Sequence, residues 1–444
     1  MGRKIDFLPK RKSKFTGQIF TMQKIFRRPF PVFILVGSFL MSFCSDSGDH
    51  SNKDDFNLVL PQGFKALTVI ESFGRNRHIA VNSNGDIYIK LERLKDGKGI
   101  YVLREMNGKY EVIKSFGNYA GTGIAVKNDY LYASSDDEVF RYKLVNNEVA
   151  DPDNPEKIVT GLLKGNQHSS KSIALDNDGN IYVNVGAPSN ACQVQDRTPG
   201  SPGQDPCPIL EKGGAIWQFK ADKLNQSYPE GVRYCTGIRN IVGLDWNTKE
   251  NQLYAMMHGR DQLSQLFPDL YNNEQSAELP SEEFLLIKKG SDFGWPYCYY
   301  DHLQKKNVLG PEYGGDGKQQ GRCEGKDQPI MGFPGHLAPN ALLFYTGNLF
   351  SKKYQDGAFI AFHGSWNRAP LKQEGFYVVF VPFKDGKPSG NYEIFANGFA
   401  GSDDIKNPNQ AKYRPCGLAQ GPDGALYVSE DKAGRIWKII YNGK

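Results

Sequence analysis

Beyond residue 60 the chain keeps returning to one phrase: an alternating apolar run, an Asn/Asp-Gly-type turn, a second run, then a third. The last copy shows it most plainly. There a short apolar strand is turned by Pro422-Asp423-Gly424 into Ala425–Ser429, and Gly434 leads into Arg435–Tyr441. Asp-Gly between alternating runs is a strong local hairpin signal. Earlier copies read 78–90 with 99–105, 123–133 with 138–144, 172–184 with 215–220, 243–256 with 283–289, and 341–347 with 357–362 and 376–383. A single hairpin cannot bury its two faces, so repeated hairpins must stack on one another. Six copies of roughly 65 residues suit four-stranded blades carrying insertions, and are too long and uneven for a β-helix. The predicted fold is all-β, a six-bladed β-propeller with long loop insertions on one face. The segment Lys65–Ser72 is predicted to add a strand that closes the ring on the last blade. Insertions fall at 185–214, at 257–282, and at 290–340 between the fourth and fifth copies. In such repeats insertions gather on one face, often the binding face.

Composition agrees: aromatics make up 12%, with 48 Gly and 25 Pro, as a turn-rich β protein requires. The first 44 residues read as a signal peptide, with Met22 as an alternative start. Lys24, Arg27 and Arg28 precede an apolar run that ends in the lipobox-like Leu40-Met41-Ser42-Phe43-Cys44. Cys44 is the expected lipidated residue; an uncleaved anchor or a plain secretory signal are the alternatives. Residues 45–60 form a polar tether and 61–444 the propeller. The protein is therefore expected to be exported to the periplasm or cell envelope, held at the membrane through Cys44. Residues 1–43 carry nine Lys/Arg against one Asp, so the rest of a chain with formal charge +5 is slightly acidic. That argues against nucleic acid as a partner. Six cysteines follow Cys44. An even number in an oxidising compartment suggests disulfides. Cys192–Cys207 and Cys298–Cys323, each closing one insertion, are the preferred pairs, leaving Cys235 and Cys416. No C-x-x-C-H, Walker A or G-x-G-x-x-G motif is present, which argues against covalent haem, ATP and NAD.

Candidate chemistry lies in the loops that lead into the blades. His168 precedes the third copy, Arg239-Asn240 the fourth, Arg414 the sixth and Arg77-His78 the first. An imidazole there can act as a general base. Arginine forks suit carboxylates, so the recurrence points to an anionic, carboxylate-bearing ligand on the axis. Each of these residues singly could instead make an ordinary loop hydrogen bond. In H-G-R-D-Q-L (258–263), backbone carbonyls of a Gly-containing turn are candidate Ca²⁺ ligands, with Asp261, Glu282 and Glu283 nearby. In H-G-S-W-N-R (363–368), Asn367 and Arg368 are candidate ligand contacts, and Trp366 could stack on a flat ring.

These segments, together with E-E-F-L-L-I-K-K-G-S-D-F-G-W-P-Y-C-Y-Y-D and R-P-C-G-L-A-Q-G-P-D-G-A-L-Y-V-S-E-D, resemble the pyrroloquinoline quinone (PQQ)-dependent sugar dehydrogenases of the soluble glucose / L-sorbosone type. The resemblance runs from about residue 60 to the end. It implies a six-bladed propeller that oxidises a sugar or related polyol or aldehyde by hydride transfer to PQQ. It implies His168 as general base, Arg239 near the reacting centre, and Arg239 and Asn240 on PQQ. Lys412 and Arg414 would bind PQQ carboxylates, and the carbonyls of Gly259 and Arg260 would hold Ca²⁺. His336 stands where relatives place a threonine on PQQ, and Arg368 is the counterpart considered for a PQQ-binding lysine. The glucose enzymes' substrate-contacting glutamine has no match in A-G-T-G-I-A. Without a haem motif, electrons would leave to a separate acceptor, a cytochrome or a quinone. Two other readings stay open: a non-catalytic carbohydrate-binding or scaffold propeller, and a lactonase using metal-bound water. The second would need several carboxylates on the axis, where these loops offer Arg and His.

Overall fold

The computed structural model describes residues 58–443; Cys44, the signal segment and most of the 45–60 tether lie outside them. Each predicted copy is one blade. Blade 1 consists of Asn76–Val81, Ile87–Lys95, Lys98–Met106 and Lys109–Phe116, all antiparallel. Blade 2 runs through Ile124–Lys127, Tyr130–Ser134, Val139–Val145 and Glu156–Val159. Blade 3 uses Ile173–Leu175, Asn180–Val185, Ala215–Lys220 and Val232–Thr236. Blade 4 uses Ile241–Asn247, Gln252–Met257, Glu282–Ile287 and Met331–Phe333. Blade 5 uses Pro339–Phe344, Gly357–Phe362, Tyr377–Lys384 and Glu393–Ala396. Blade 6 takes Pro415–Gln420, Leu426–Glu430 and Ile436–Tyr441 from the C-terminus. Its outer strand is Phe64–Ile70, paired antiparallel with Ile436–Tyr441 from Phe64↔Tyr441 onward. The ring is thus closed by the strand expected at 65–72, which covers an edge that would otherwise be open.

The innermost strands touch in a closed circuit, each blade against the next and the sixth against the first. The core is divided to match. Phe359, Phe395 and Trp437 fill the space between blades 5 and 6, and Tyr88, Leu131 and Tyr142 that between blades 1 and 2. Tyr182, Ile216 and Leu285 lie between blades 3 and 4. Apolar faces are buried against neighbouring blades rather than within one, as expected of a repeat whose unit cannot fold alone.

The third insertion needs a correction. Met331–Phe333 pairs with Glu282–Ile287, so it is the fourth strand of blade 4, and the insertion interrupts that blade instead of separating it from blade 5. Both expected disulfides form, Cys192–Cys207 and Cys298–Cys323, while Cys235 and Cys416 are free and buried. The two bridges share a small core with Ala187, Trp295 and Tyr297. The Trp295 indole N–H donates to Asn190 O (3.0 Å), and the Tyr297 hydroxyl accepts from Cys207 N (2.9 Å). The insertions of blades 3 and 4 are therefore packed into one cap.

Candidate active site

In a four-stranded blade the loop that leads in and the turn after the second strand lie on the same face. His168, Arg239, His336 and Arg414 occupy leading loops. The segments Ser135–Glu138, His258–Asp261, His363–Arg368 and Asp431–Lys432 follow second strands. Eight short segments from five blades thus lie at one mouth of the central channel.

His168 adopts φ 53°, a left-handed backbone that costs a non-glycine residue of order 1 kcal/mol and tends to persist where surroundings over-determine it. Its Nδ1 lies 2.5 Å from Ala187 O, so that nitrogen carries the proton and donates. Nε2 then keeps a lone pair, and it has no hydrogen-bond partner among the described residues. Burial, and then the Arg239 guanidinium, push the imidazole pKa down to about 3. The ring is therefore neutral at any physiological pH.

Arg239 is buried and held rigidly. Its Nη1 donates to Gly259 O (2.9 Å) and its Nη2 to Asp261 Oδ2 (2.7 Å), while Nε is buried without a partner. Asp261 is the hub. Oδ2 also accepts from Arg197 Nη2 (2.7 Å), and Oδ1 accepts from Asn367 Nδ2 (2.9 Å). Burial works against the carboxylate, yet Arg239 and Arg197 hold it well below the usual range. Arg197 comes from the loop closed by Cys192–Cys207. From the other side, Glu312 in the loop closed by Cys298–Cys323 accepts from Arg260 Nη1 (2.6 Å). The two stapled insertions clamp the His258–Asp261 turn between them.

The other candidate residues take different places. Asn240 is buried, and its Oδ1 lies 3.4 Å from Asn184 Nδ2. Gly259 donates its N–H to Glu282 Oε2 (3.0 Å), and burial pushes Glu282 up to about 7. The Gly259 carbonyl already accepts from Arg239. His336 has both nitrogens engaged: Nε2 donates to Ser276 O (2.8 Å), and Nδ1 accepts from Asn367 Nδ2 (3.2 Å). It orients Asn367. Arg368 is spent on Ala277 O (2.7 Å), Gly335 O (3.0 Å) and Glu278 Oε1 (2.7 Å), bracing the blade 4 insertion. Arg414 Nε donates to His363 O (3.1 Å), and its Nη2 donates to Gly364 O. Lys412 is exposed, its Nζ 5.4 Å from the centre of the Tyr413 ring. Trp366 is half exposed on the rim.

Three participants went unsingled in the sequence. His363 Nε2 donates to Asp431 Oδ1 (2.7 Å), whose Oδ2 accepts from Arg77 Nη1 (2.8 Å), joining blades 5, 6 and 1. Arg77 Nη2 reaches Ser170 Oγ (3.3 Å), close to His168. Arg197 joins from the blade 3 insertion. Asp431 had a signal: it follows a second strand in the same register as His258 and His363. Around this mouth Arg77 Nε, Arg239 Nε, Asn184 Oδ1 and Asn367 Oδ1 are buried with no partner. Native proteins rarely leave such atoms unmatched, which makes this mouth the candidate ligand position. It offers cationic donors together with amide oxygens able to face a hydroxyl or a cation.

A family model described as TrAA12-like matches residues 58–442. The chain belongs to the TrAA12-like family. It is similar to an uncharacterized protein of Borreliella burgdorferi, 26% identical over 398 residues, covering 86% of this chain and 91% of that one. It is 26% identical over 279 residues to the pyrroloquinoline quinone-dependent pyranose dehydrogenase of Coprinopsis cinerea, a match covering 54% of this chain and 36% of that enzyme. This chain thus matches only about a third of the length of the Coprinopsis enzyme. The holo PQQ domain of that pyranose dehydrogenase has the same fold, with TM-score 0.69, 20% identity, and 87% and 97% of the two chains covered. So does a calcium structure of the Trichoderma reesei family AA12 enzyme, with TM-score 0.70, 18% identity, and 86% and 97% covered.

Proposed function

We propose that this protein is a PQQ- and Ca²⁺-dependent dehydrogenase that oxidises a sugar or a related polyol or aldehyde, with His168 as general base. The observation that carries the reading is the bare Nε2 of His168 beside the Arg239–Asp261 pair, in a mouth ringed by unmatched buried polar atoms. The relatives named for PQQ and calcium support it.

A tricarboxylate quinone suits the donor set. Arg414, Arg239 and Lys412 are the groups that would hold it, with Asn240 and the oriented Asn367 amide at its edges. Its chemistry is the acceptance of two electrons as a hydride. Ca²⁺ would find the Arg260 carbonyl, and would have to share the Gly259 carbonyl with Arg239 Nη1. Among the described residues no cluster of three or more His, Cys, Asp or Glu side chains could hold a metal, so the remaining donors would come from amide or backbone oxygens, ligand and water. His336 and Arg368 act one step back, His336 by setting the Asn367 amide and Arg368 by fixing the loop beneath it.

For the substrate, the work of this chain is proton removal and charge placement. A hydroxyl within hydrogen-bond reach of His168 Nε2 gives up its proton there as its carbon loses hydride. The Ala187 carbonyl fixes the tautomer and takes up part of the imidazolium charge that results. Arg239, held by Asp261 and Gly259 O, presents a preorganised positive charge that needs no rearrangement during reaction. Export, lipidation at Cys44 and a separate electron acceptor belong to the same proposal.

The test combines purified protein with PQQ and Ca²⁺, an electron-accepting dye, and a panel of aldoses, sorbosone and polyols. Saturable PQQ binding with sugar-dependent dye reduction is expected. Failure of both would leave a carbohydrate-binding propeller; PQQ binding without dye reduction would leave the cofactor and remove the substrate class.

A further inference from the structure

A backbone carbonyl orients His168; a carboxylate orients His363. The His363 Nε2 donates to Asp431 Oδ1 (2.7 Å), and Asp431 Oδ2 accepts from Arg77 Nη1 (2.8 Å). With the proton fixed on Nε2, the His363 Nδ1 keeps a lone pair, and it has no hydrogen-bond partner among the described residues. The ring is not sealed, its side chain being 12% exposed. Burial works against the Asp431 carboxylate, yet His363 and Arg77 hold it well below the usual range. Burial also lowers the His363 pKa against the pull of Asp431, and the Arg414 and Arg77 guanidiniums add to the fall. The His258 imidazole of blade 4 lies near as well. A carboxylate behind a neutral imidazole fixes the tautomer and stabilises the imidazolium formed when the free nitrogen takes a proton. The pair belongs to the charged mouth. The carbonyls of His363 and Gly364 accept from Arg414, Asn367 four positions on holds Asp261, and Arg77 Nη2 reaches Ser170 Oγ beside His168.

We propose that His363 is a second proton acceptor of this mouth, positioned by Asp431, and that it serves the return of electrons to the acceptor. This rests on the function proposed above. A hydride carries two electrons and one proton from the substrate carbon, while His168 takes the hydroxyl proton. When one-electron acceptors, such as a haem protein or ferricyanide, remove the two electrons, the proton that came with the hydride must leave too. His168 alone would have to lose its first proton before taking that one. His363 Nδ1 removes the wait: it takes the second proton, its Nε2–H stays on Asp431, and the imidazolium passes the proton to water.

The test follows the two halves separately in the full chain loaded with PQQ and Ca²⁺. Reduction by the panel sugars is one half; ferricyanide reoxidation after one equivalent of dithionite is the other, and it needs no sugar. His363→Gln, whose amide still donates to Asp431, should slow reoxidation about 10²-fold, the lower end for a lost acid–base group. His168→Gln should instead slow reduction by sugar. Added imidazole should restore part of the reoxidation rate in His363→Ala, and the nitrogen NMR signal of His363 Nδ1 should move when PQQ binds without sugar. An unchanged reoxidation rate in His363→Gln, equal slowing of both halves, or no rescue by imidazole would overturn the inference and leave the proposed function standing. Absence of PQQ binding by the unsubstituted protein would overturn both.

Discussion

Two aspartates of blade 4 face opposite ends of one channel and meet opposite fates. Asp261, after the second strand, lies between Arg239 and Arg197, and its carboxyl is held well below the usual range despite its burial. Asp245, on the first strand, has two backbone N–H groups and the lesser pull of Lys127 against the same enclosure, and burial pushes it up to about 7. The blade supplies nearly the same scaffold to both. What differs is what neighbouring segments bring. Near Asp261 the stapled insertions and leading loops supply cations from several blades. Near Asp245 the neighbouring segments bring aliphatic side chains and one cation, Lys127 of blade 2. The mouth at Asp261 gathers two arginines on one carboxylate, and the far one sets a single lysine near Asp245.

The sharpest way to break this contrast is to disarm the charged mouth without unfolding it. His168→Gln should lower dye-coupled turnover by about 10²–10⁴-fold, the usual weight of a general base. A loss below tenfold would remove His168 from that role. Asp261→Ala strands two arginines, and urea titration should show a cost of about 3–5 kcal/mol, as for a broken buried pair; a cost under 1 kcal/mol would deny Asp261 its place as hub. Replacing both Cys298 and Cys323 with Ala should cost about 2–4 kcal/mol through loop-closure entropy. It should also free the Glu312–Arg260 contact, seen as faster proteolysis within 299–322.

The smallest effects concern pH, and they run in opposite directions. The folded pKa of Asp261 is depressed, so its contribution to stability is present above its unfolded value near 4 and is lost as pH falls below it. Asp245 is raised, so between about pH 4 and 7 the folded state holds a proton that the unfolded chain has released. Stability then falls as pH rises through that window and levels off above it. Each contributes a slope of at most about 1.4 kcal/mol per pH unit. Asp245→Asn should flatten the neutral-side slope of the urea midpoint, and Asp261→Asn the acid-side slope. If neither substitution changes its slope, the two mouths do not differ in charge as described.

Much of the architecture was legible because the hairpin phrase is local. Asp423-Gly424 between alternating runs specifies a turn and two strands wherever it occurs, and six copies require stacking. Even the closing strand was expected, at Lys65–Ser72, and it forms at Phe64–Ile70. The fourth strands were harder to see. Met331–Phe333 is three residues long and follows a long insertion, so its period carried no signal, and the insertion was placed outside blade 4.

Candidate residues within the quoted motifs were legible, but their partners were not. Sequence by itself determined the repeat and the segments bearing His168, Arg239 and Arg414, because each depends on neighbours close along the chain; it favoured the two disulfide pairs among fifteen connectivities, and the structure chose them. Only the tertiary structure decided that Asp431 joins His363 to Arg77, that Arg197 and Glu312 clamp the calcium-candidate turn, and that His336 and Arg368 spend their polar atoms on the protein. Those contacts cross from 31 to 354 positions of sequence. Ring closure sets them, and no local pattern records which blade will face which.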